Sequence, residues 1–555
     1  MHERSGWAFG LGLAGIVGTI LALGVWHLLG PEERLAFLFY DDAYYYFGVA
    51  RNLAAGSGST FDGLHATNGY HPLWCGLIVP LAGLWDDPGR AVRAFAALWF
   101  LIAAAVPLAL AWALRPRTGP SGAMLGAAIF ALHPWIAIGL ARPNGLETPL
   151  YALGLALGAG AWERMLAERD VPGRFPPKSA LALFGLLLGA VVLARLDGGA
   201  FAVGSAVLLF ALTRRVMPVV VMAAAATVVA GPVLAWNAAA FGSPVPVSGR
   251  IVALEAAKER TQLGGAASAA WVKRRARHAV LDIPRELGAG AVRGAASLES
   301  GLKGRRAAVA ILLVGAVAVP AALSARRRFR PRVGDAVGWL LVGGAIHLAA
   351  YGAWLWTPGE ARYRLYYFMP EALALAAALA AAAGPAFDAV VRLRPARVTV
   401  GAFVLAALVA HLAGESIRAG DAVGAGDGAV ADRFVYGWIR RTLPADAVLG
   451  ARDAGKLGWF SGRKVVNLDG LINNATLYAA IRDGEVDRWI ADSPIDHVLM
   501  DRDWLEGWDP SRPEEPPREP GGFGEVMWKL SRRPGIAVRE VPGATENWAV
   551  MKIRP

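Results

Sequence analysis

Two adjacent carboxylates, Asp41 and Asp42, stand in Phe37-Leu38-Phe39-Tyr40-Asp41-Asp42-Ala43-Tyr44-Tyr45-Tyr46-Phe47, just beyond the first apolar run of the chain. A carboxylate at such a boundary can take a proton from a substrate hydroxyl as general base, or ligate a metal ion. The same residues also have a structural reading, in which Asp42 caps a helix running from Ala43 to Ala55 that Gly56 ends. Apolar residues at 43, 46, 47, 50, 53 and 54 give that helix one greasy face, which predicts that it lies on the membrane surface. A cap uses one acid, and the sequence supplies two.

Downstream, His65, Asn68, Tyr70, His71 and Trp74 cluster within Leu64-His65-Ala66-Thr67-Asn68-Gly69-Tyr70-His71-Pro72-Leu73-Trp74. Asn-Gly marks a turn, His-Pro opens a helix, and the aromatic residues fit a membrane-boundary belt. The two histidines are candidate ligands or proton carriers. Three further short segments carry Arg142, Asn144 and Glu147; Arg195 and Asp197; and Arg362 and Arg364 within Glu360-Ala361-Arg362-Tyr363-Arg364. A fourth carries Ser248 and Arg250. Each taken alone fits a snorkelling side chain or a local ion pair. Together they suit an acidic substrate, because Arg binds phosphate oxygens bidentately. No Walker loop, HExxH, GxSxG or CxxC pattern is present, which leaves nucleotide hydrolysis and the commoner hydrolase chemistries without support.

The elements that must position these residues follow from composition. Hydrophobic residues make up 55% of the 555, more apolar surface than a water-soluble core of this length buries. Runs of about 16 to 24 apolar residues, separated by short charged loops, match helices crossing a hydrocarbon core of about 30 Å, and they lack the alternation of a barrel. They lie near 7–29, 91–114, 121–140, 148–166, 179–194, 199–213, 216–237, 306–324, 336–356, 370–384 and 396–413, roughly eleven spans. The first is too long and too weakly terminated for a cleaved signal peptide. Cys75 is the single cysteine, so the chain has no intrachain disulfide and no cysteine metal cluster.

The formal charge of +12 resides mostly in short loops between apolar runs, which marks topology and not nucleic-acid binding. If the short stretch Trp74 to Trp85 does not cross, the loops carrying Arg115 and Arg117, Arg164 to Lys178, Arg214 and Arg215, Arg326 to Arg332, and Arg392 to Arg397 all fall on the cytoplasmic side. That agreement makes 74–85 an interfacial or re-entrant helix. It also places 30–90, 141–147, 195–198, 238–305, 357–369 and everything after about 414 on the outer face. The basic run Lys273, Arg274, Arg275 and Arg277 breaks the rule within a long loop, and suits anionic lipid or phosphate.

From about Asp432 shorter pieces alternate: Ala447–Ala451, Gly455–Phe460, Lys464–Leu468, Leu477–Ile490 and His497–Met500. The pattern predicts a small α/β soluble domain over 426–555, following a membrane domain over 1–425. A proline-rich loop, 509–522, precedes a last helix and strand.

The order of parts resembles the GT-C superfamily of membrane glycosyltransferases, which includes protein O-mannosyltransferases and the transferase that adds aminoarabinose to lipid A. The parts are one span, an acidic pair in Asp41-Asp42-Ala43-Tyr44, an Arg51-Asn52-Leu53 helix, Asn68-Gly69-Tyr70-His71-Pro72-Leu73-Trp74, Gly145-Leu146-Glu147-Thr148, and Arg195-Leu196-Asp197-Gly198. The run from Asp453 to Leu471 looks like the outer domain of bacterial members.

The resemblance implies an inverting transfer of a hexosyl or pentosyl group from a polyprenyl-phosphate donor to a hydroxyl on a glycan, lipid or protein. That transfer would take place on the non-cytoplasmic face of a bacterial inner membrane. Asp41 would be the general base, with Asp42 assisting it or positioning the acceptor; the family commonly has Glu at this second position. Tyr44, His65, Asn68, His71, Glu147, Arg195 and Asp197 would line the substrate site, and Arg250, Arg362 and Arg364 would stabilise the departing phosphate. Some members use a divalent metal such as Mg or Mn, for which Asp41, Asp42 and His71 are candidate ligands, with His65 nearby. Two alternatives share the face and the composition: a flippase or other transporter of lipid-linked sugar, and an oligosaccharide ligase or polymerase. Transporters place ionisable residues near mid-span and repeat their halves, and neither pattern is evident here.

Overall fold

The computed structural model describes residues 2–31, 39–85, 87–141, 143–167, 176–262, 335–353, 368–391 and 427–501, then shorter stretches between 505 and 554. Helices account for nearly all of the described residues before 392. They are α1 (His2–Leu29), α2 (Asp41–Ala54), α3 (Pro72–Ala82), α4 (Pro88–Leu132), α5 (Pro134–Ala141), α6 (Thr148–Ala167), α7 (Lys178–Ala194), α8 (Gly199–Thr213), α9 (Met217–Phe241), α10 (Val247–Gln262), α11 (Ala336–Ala353) and α12 (Met369–Val391). By length and composition, Gly10–Leu29, Pro88–Leu132, Leu196–Thr213 and Met217–Phe241 suffice to cross a membrane. Every expected apolar run falls on a described helix except 306–324 and 396–413, which lie outside the described residues.

Element α4 contains the expected run 91–114 and most of 121–140, whose end falls in α5. Gly119 breaks α4 with φ 69 and ψ 178, amid Pro116 and Pro120, so two helices meet at a kink. Helix α3 has 11 residues, about 16 Å at 1.5 Å per residue, short of the hydrocarbon thickness. Close packing between helices relies on glycine. A Cβ at Gly185 or Gly189 of α7 would run into the α9 backbone at Met222 or Ala226, the small-residue contact that lets apolar helices approach.

The C-terminal part opens with α13 (Asp427–Thr442) and continues through β1 (Val448–Ala451), α14 (Gly455–Phe460), β2 (Lys464–Asn467), α15 (Ala475–Asp483), α16 (Val486–Asp492), β3 (His497–Asp501), α17 (Phe523–Ser531), β4 (Ala537–Glu540) and β5 (Trp548–Lys552). The strands form one sheet in the order β2-β1-β3-β5-β4. β1 is parallel to both β2 and β3, while β5 is antiparallel to β3 and β4. Successive side chains divide between two cores. Val465, Leu499 and Val550 join the apolar cluster continuous with the helix bundle, while Val466, Val498, Met500, Ala549 and Met551 face α15, α16 and α17. The structure differs from two sequence expectations. The piece at 477–490 is two helices, because Gly484 takes φ 75 and ends the first. The last helix is followed by two strands and not one.

Helix α2 differs more consequentially. It begins at Asp41, with Tyr40 as N-cap and no capping side chain, so Asp42 is not the cap. Ala43 to Ala50 are buried throughout, so the apolar residues of this stretch pack inside the protein. One side of α2 packs on α3 and another lies under α14, where Tyr44 and Phe47 meet Trp459. A stripe of apolar residues reports that a face is covered without naming the cover.

Candidate functional site

The helices converge their polar residues at one end of the bundle. Glu147 stands just before α6, Arg195 and Asp197 between α7 and α8, His71 just before α3, and Asp41 and Asp42 in the first turn of α2. The other end is marked by Glu163, late in α6, which pairs with Arg117 at 2.6 Å and accepts the Ala336 N–H at 2.9 Å.

Asp41 is engaged on both oxygens. Oδ2 accepts the Gly455 N–H and Oδ1 the Lys456 N–H, each at 2.8 Å, so this carboxylate closes the free N-terminus of α14. A Cβ at residue 455 would collide with the Asp41 carbonyl oxygen, which requires glycine there. The described residues offer Asp42 no hydrogen bond or ion pair. Burial, followed by the like charges of Asp41, Asp469, Asp453 and Glu147, holds its carboxyl well above the ordinary range. Asp41 is also raised by burial, against the opposing pull of the Lys456 N–H and ammonium.

Tyr45 and Tyr46 carry the acid pair in two directions. The Tyr45 hydroxyl meets Asp469 Oδ2 at 3.1 Å and accepts from Asn467 Nδ2 at 3.0 Å, both in the C-terminal part. The Tyr46 hydroxyl donates to Glu147 Oε2 at 3.0 Å and accepts the His71 N–H at 3.3 Å. Glu147 Oε1 accepts from Arg195 at 2.7 Å, and the same guanidinium grips Asp197 through Nε and Nη2 at 3.1 Å. Asp197 Oδ2 in turn accepts the Tyr351 hydroxyl at 2.8 Å and lies 3.4 Å from His347 Nε2, whose Nδ1 is 2.8 Å from Glu371 Oε1. One buried polar network therefore joins α2, α11, α12 and the loops before α6 and after α7.

The loop bearing Glu147 is held from below. Trp74 Nε1 donates to the Gly145 carbonyl and Trp99 Nε1 to the Leu146 carbonyl, each at 3.0 Å. Gly145, at φ 74, presses on Ala43, and only glycine combines that backbone with that closeness.

Other expected site residues sit along the seam with the C-terminal part. Asn68 Oδ1 accepts the Val247 N–H at 3.0 Å and so fixes the start of α10. Arg250 of α10 lies 3.9 Å over the Tyr478 ring. His65 Nδ1 bonds Asp62 at 2.7 Å, and its ring lies beside Trp489. Tyr44 is fully buried among Phe47, Trp459 and Phe460. His71 Nε2 comes within 3.6 Å of Glu147, and burial pushes its imidazole below the usual value. Arg142, Arg362 and Arg364 lie outside the described residues.

Asp41, Asp42 and His71 are not brought together as a metal site among the described residues. Among the described residues no three His, Cys, Asp or Glu are grouped to hold an ion, and both Asp41 oxygens already accept backbone N–H groups. Sequence reasoning missed Tyr45, Tyr46, His347, Tyr351, Glu371, Asn467 and Asp469. For His347 and Glu371 a signal existed, because both are ionisable residues inside apolar runs. For Asp469 the signal was weaker, an Asp-Gly turn between strand and helix.

Gly69 makes a second backbone contact across the seam, since a Cβ there would strike the Leu471 carbonyl. Gly69→Ala and Gly455→Ala are each expected to cost about 1–3 kcal/mol by overpacking. Thermal unfolding of the detergent-solubilised protein measures the cost, and an unchanged midpoint in both would contradict the contact.

Against known structures this chain matches ArnT from Cupriavidus metallidurans bound to undecaprenyl phosphate, at 13% identity with a TM-score of 0.54 over 97% of each chain. The apo state of the same protein matches at 13% identity, TM-score 0.51, over 100% of this chain and 98% of that one. The chain shares the GT-C fold. The archaeal oligosaccharyltransferase AglB from Archaeoglobus fulgidus, in complex with an inhibitory peptide and a dolichol-phosphate, aligns at 13% identity and TM-score 0.48 over 95% of this chain and 73% of that one. Residues 417–540 match the family described as Domain of unknown function (DUF8728). No curated protein matches the chain in sequence. The expected GT-C architecture, helices first and a small strand-bearing part last, is the one observed.

Proposed function

We propose that this GT-C-fold chain is an inverting glycosyltransferase, moving a hexosyl or pentosyl group from a polyprenyl-phosphate donor to an acceptor hydroxyl at the outer face of a bacterial inner membrane. The observation that carries the reading is a carboxylate, Asp42, with no hydrogen bond among the described residues, beside the Glu147–Arg195–Asp197 network at one end of an ArnT-like bundle. The solved ArnT holds undecaprenyl phosphate. Here a small apolar pocket lined by Ile20, Trp99, Val106, Phe130, Thr148 and Met369 begins one residue from Glu147.

In this reading the acceptor oxygen attacks the anomeric carbon as the bond from that carbon to the phosphate oxygen breaks. The bonding pair leaves with polyprenyl phosphate, the configuration inverts, and the hydroxyl proton passes to Asp42. The resemblance gave the base to Asp41, but the geometry favours Asp42. Asp41 accepts from α14 on both oxygens, whereas Asp42 has no hydrogen bond among the described residues and has a raised carboxyl, better matched to proton uptake near neutrality. Arg250, with Arg362 and Arg364, would steady the phosphate. Arg195 is better suited to holding Glu147 and Asp197 in place, its nitrogens being engaged by both.

The test is radiolabelled transfer from candidate polyprenyl-phosphate sugars in membranes containing the wild-type chain. Transfer supports the reading; movement of lipid-linked sugar across the bilayer without transfer would favour a flippase. Because Asp42 must be ionised to act, the rate should fall as pH drops through a value above the usual carboxylate range. A rate flat down to pH about 4, the ordinary carboxylate value, would remove Asp42 from that role. Reporter fusions after residues 118 and 420 are expected to report cytoplasmic and outer locations respectively.

A further inference from the structure

The Tyr45 hydroxyl is surrounded by one segment of the C-terminal part. Asn467 Nδ2 donates to it at 3.0 Å and the Ala454 N–H at 3.4 Å, while Asp469 Oδ2 and the Arg452 carbonyl stand 3.1 and 3.2 Å away as acceptors. A hydroxyl has two lone pairs and one proton, so the donors fill its acceptor sites and the two acceptors compete for that proton. Carboxylates are favoured over the carbonyl, because hydrogen bonds to charged groups are about twice as strong, and both Asp469 and Asp41 draw on this hydroxyl. Asp469 is itself held by the Leu471 N–H at 2.7 Å, within the turn that brings Leu471 against Gly69. Asn467 is locked too, its carbonyl accepting from Asn473 and its Oδ1 accepting the Gly470 N–H. Through Tyr45, this rigid turn reaches the helix turn that carries Asp41 and Asp42.

We propose, on the transferase reading above, that the C-terminal α/β part is a working wall of the transfer site and that Asp469 is its positioning residue, acting on Asp42 through Tyr45. Two independent contacts bind the wall to the acid pair: the Tyr45 hub, and the clamp of Asp41 on α14. The charged and titratable groups around the pair are Asp41, Asp453, Asp469, Glu147, Lys456 and Tyr45, with Arg452 beside Asp469. Since the Asp469 charge opposes ionisation of Asp42, removing it lets Asp42 ionise at lower pH.

Asp469→Asn, Asp469→Glu, Asp42→Asn and Asp41→Asn are compared with wild type in the full chain by radiolabelled transfer, with kcat, KM for the donor, and pH profile read separately. Asp469→Asn keeps the shape of the turn. It is expected to lower kcat about tenfold, leave donor KM unchanged, and move the acidic limb to lower pH, with Asp469→Glu recovering part of the rate. A purely structural role predicts the reverse order, with Asn tolerated and Glu harmful. An inactive Asp42→Asn beside an Asp469→Asn of normal rate and pH profile overturns this inference and leaves the transferase standing. Normal transfer by both Asp41→Asn and Asp42→Asn overturns the catalytic assignment, and this inference with it.

Discussion

Asp42→Asn is expected to lower kcat for transfer by about 100- to 10,000-fold, the range general-base removal produces, while the thermal midpoint and donor KM stay close to wild type. The two neighbouring acids differ in what they hold. Asp42 holds nothing in place among the described residues, so its amide leaves the fold intact while abolishing proton uptake. Asp41→Asn should behave differently. Its amide nitrogen would face one of the two backbone N–H donors of α14, losing a hydrogen bond and leaving a donor unsatisfied, at about 1–3 kcal/mol. Rate and midpoint should then fall together. An Asp41→Asn chain of normal stability and no activity would return the base to Asp41.

Arg195→Met is expected to be the most destabilising single substitution at the site. It would leave Glu147 and Asp197, both largely excluded from solvent, without the cation that lies 2.7 and 3.1 Å from them, and breaking a buried pair costs about 3–5 kcal/mol. Loss of folded protein on size-exclusion chromatography, or a large drop in thermal midpoint, measures it. Neutralising the acids as well, in Glu147→Gln/Arg195→Met/Asp197→Asn, should recover part of the loss, since the penalty comes from unpaired charge. A folded single variant with a wild-type midpoint would show that the network contributes little to stability.

The helices and the polar residues at their ends were legible in the sequence because both depend on local pattern. Apolar runs of span length announce helices, and charges cannot sit far from their ends without partners. Hence Glu147, Arg195 and Asp197 could be grouped before any contact was known. The sequence was silent about what each side chain touches. Tyr46 finds Glu147 across 101 positions, and Asp41 finds Gly455 across 414. No periodicity encodes such pairings. The cap assigned to Asp42 failed for a related reason: the carboxylates of α2 serve a helix of another part of the chain, not their own. His347 and Glu371 were overlooked because their runs read as uniformly apolar, although a buried ionisable pair is what such exceptions often signal.

The clamp between Asp41 and the start of α14 has a consequence for biosynthesis. A nascent chain can insert its early helices in order, yet the acid pair stays incomplete until the ribosome has passed residue 456 and the emerging sheet has folded back. A message cut short before residue 455 would therefore yield an unfinished product, with Asp41 left without the two backbone N–H groups it accepts from.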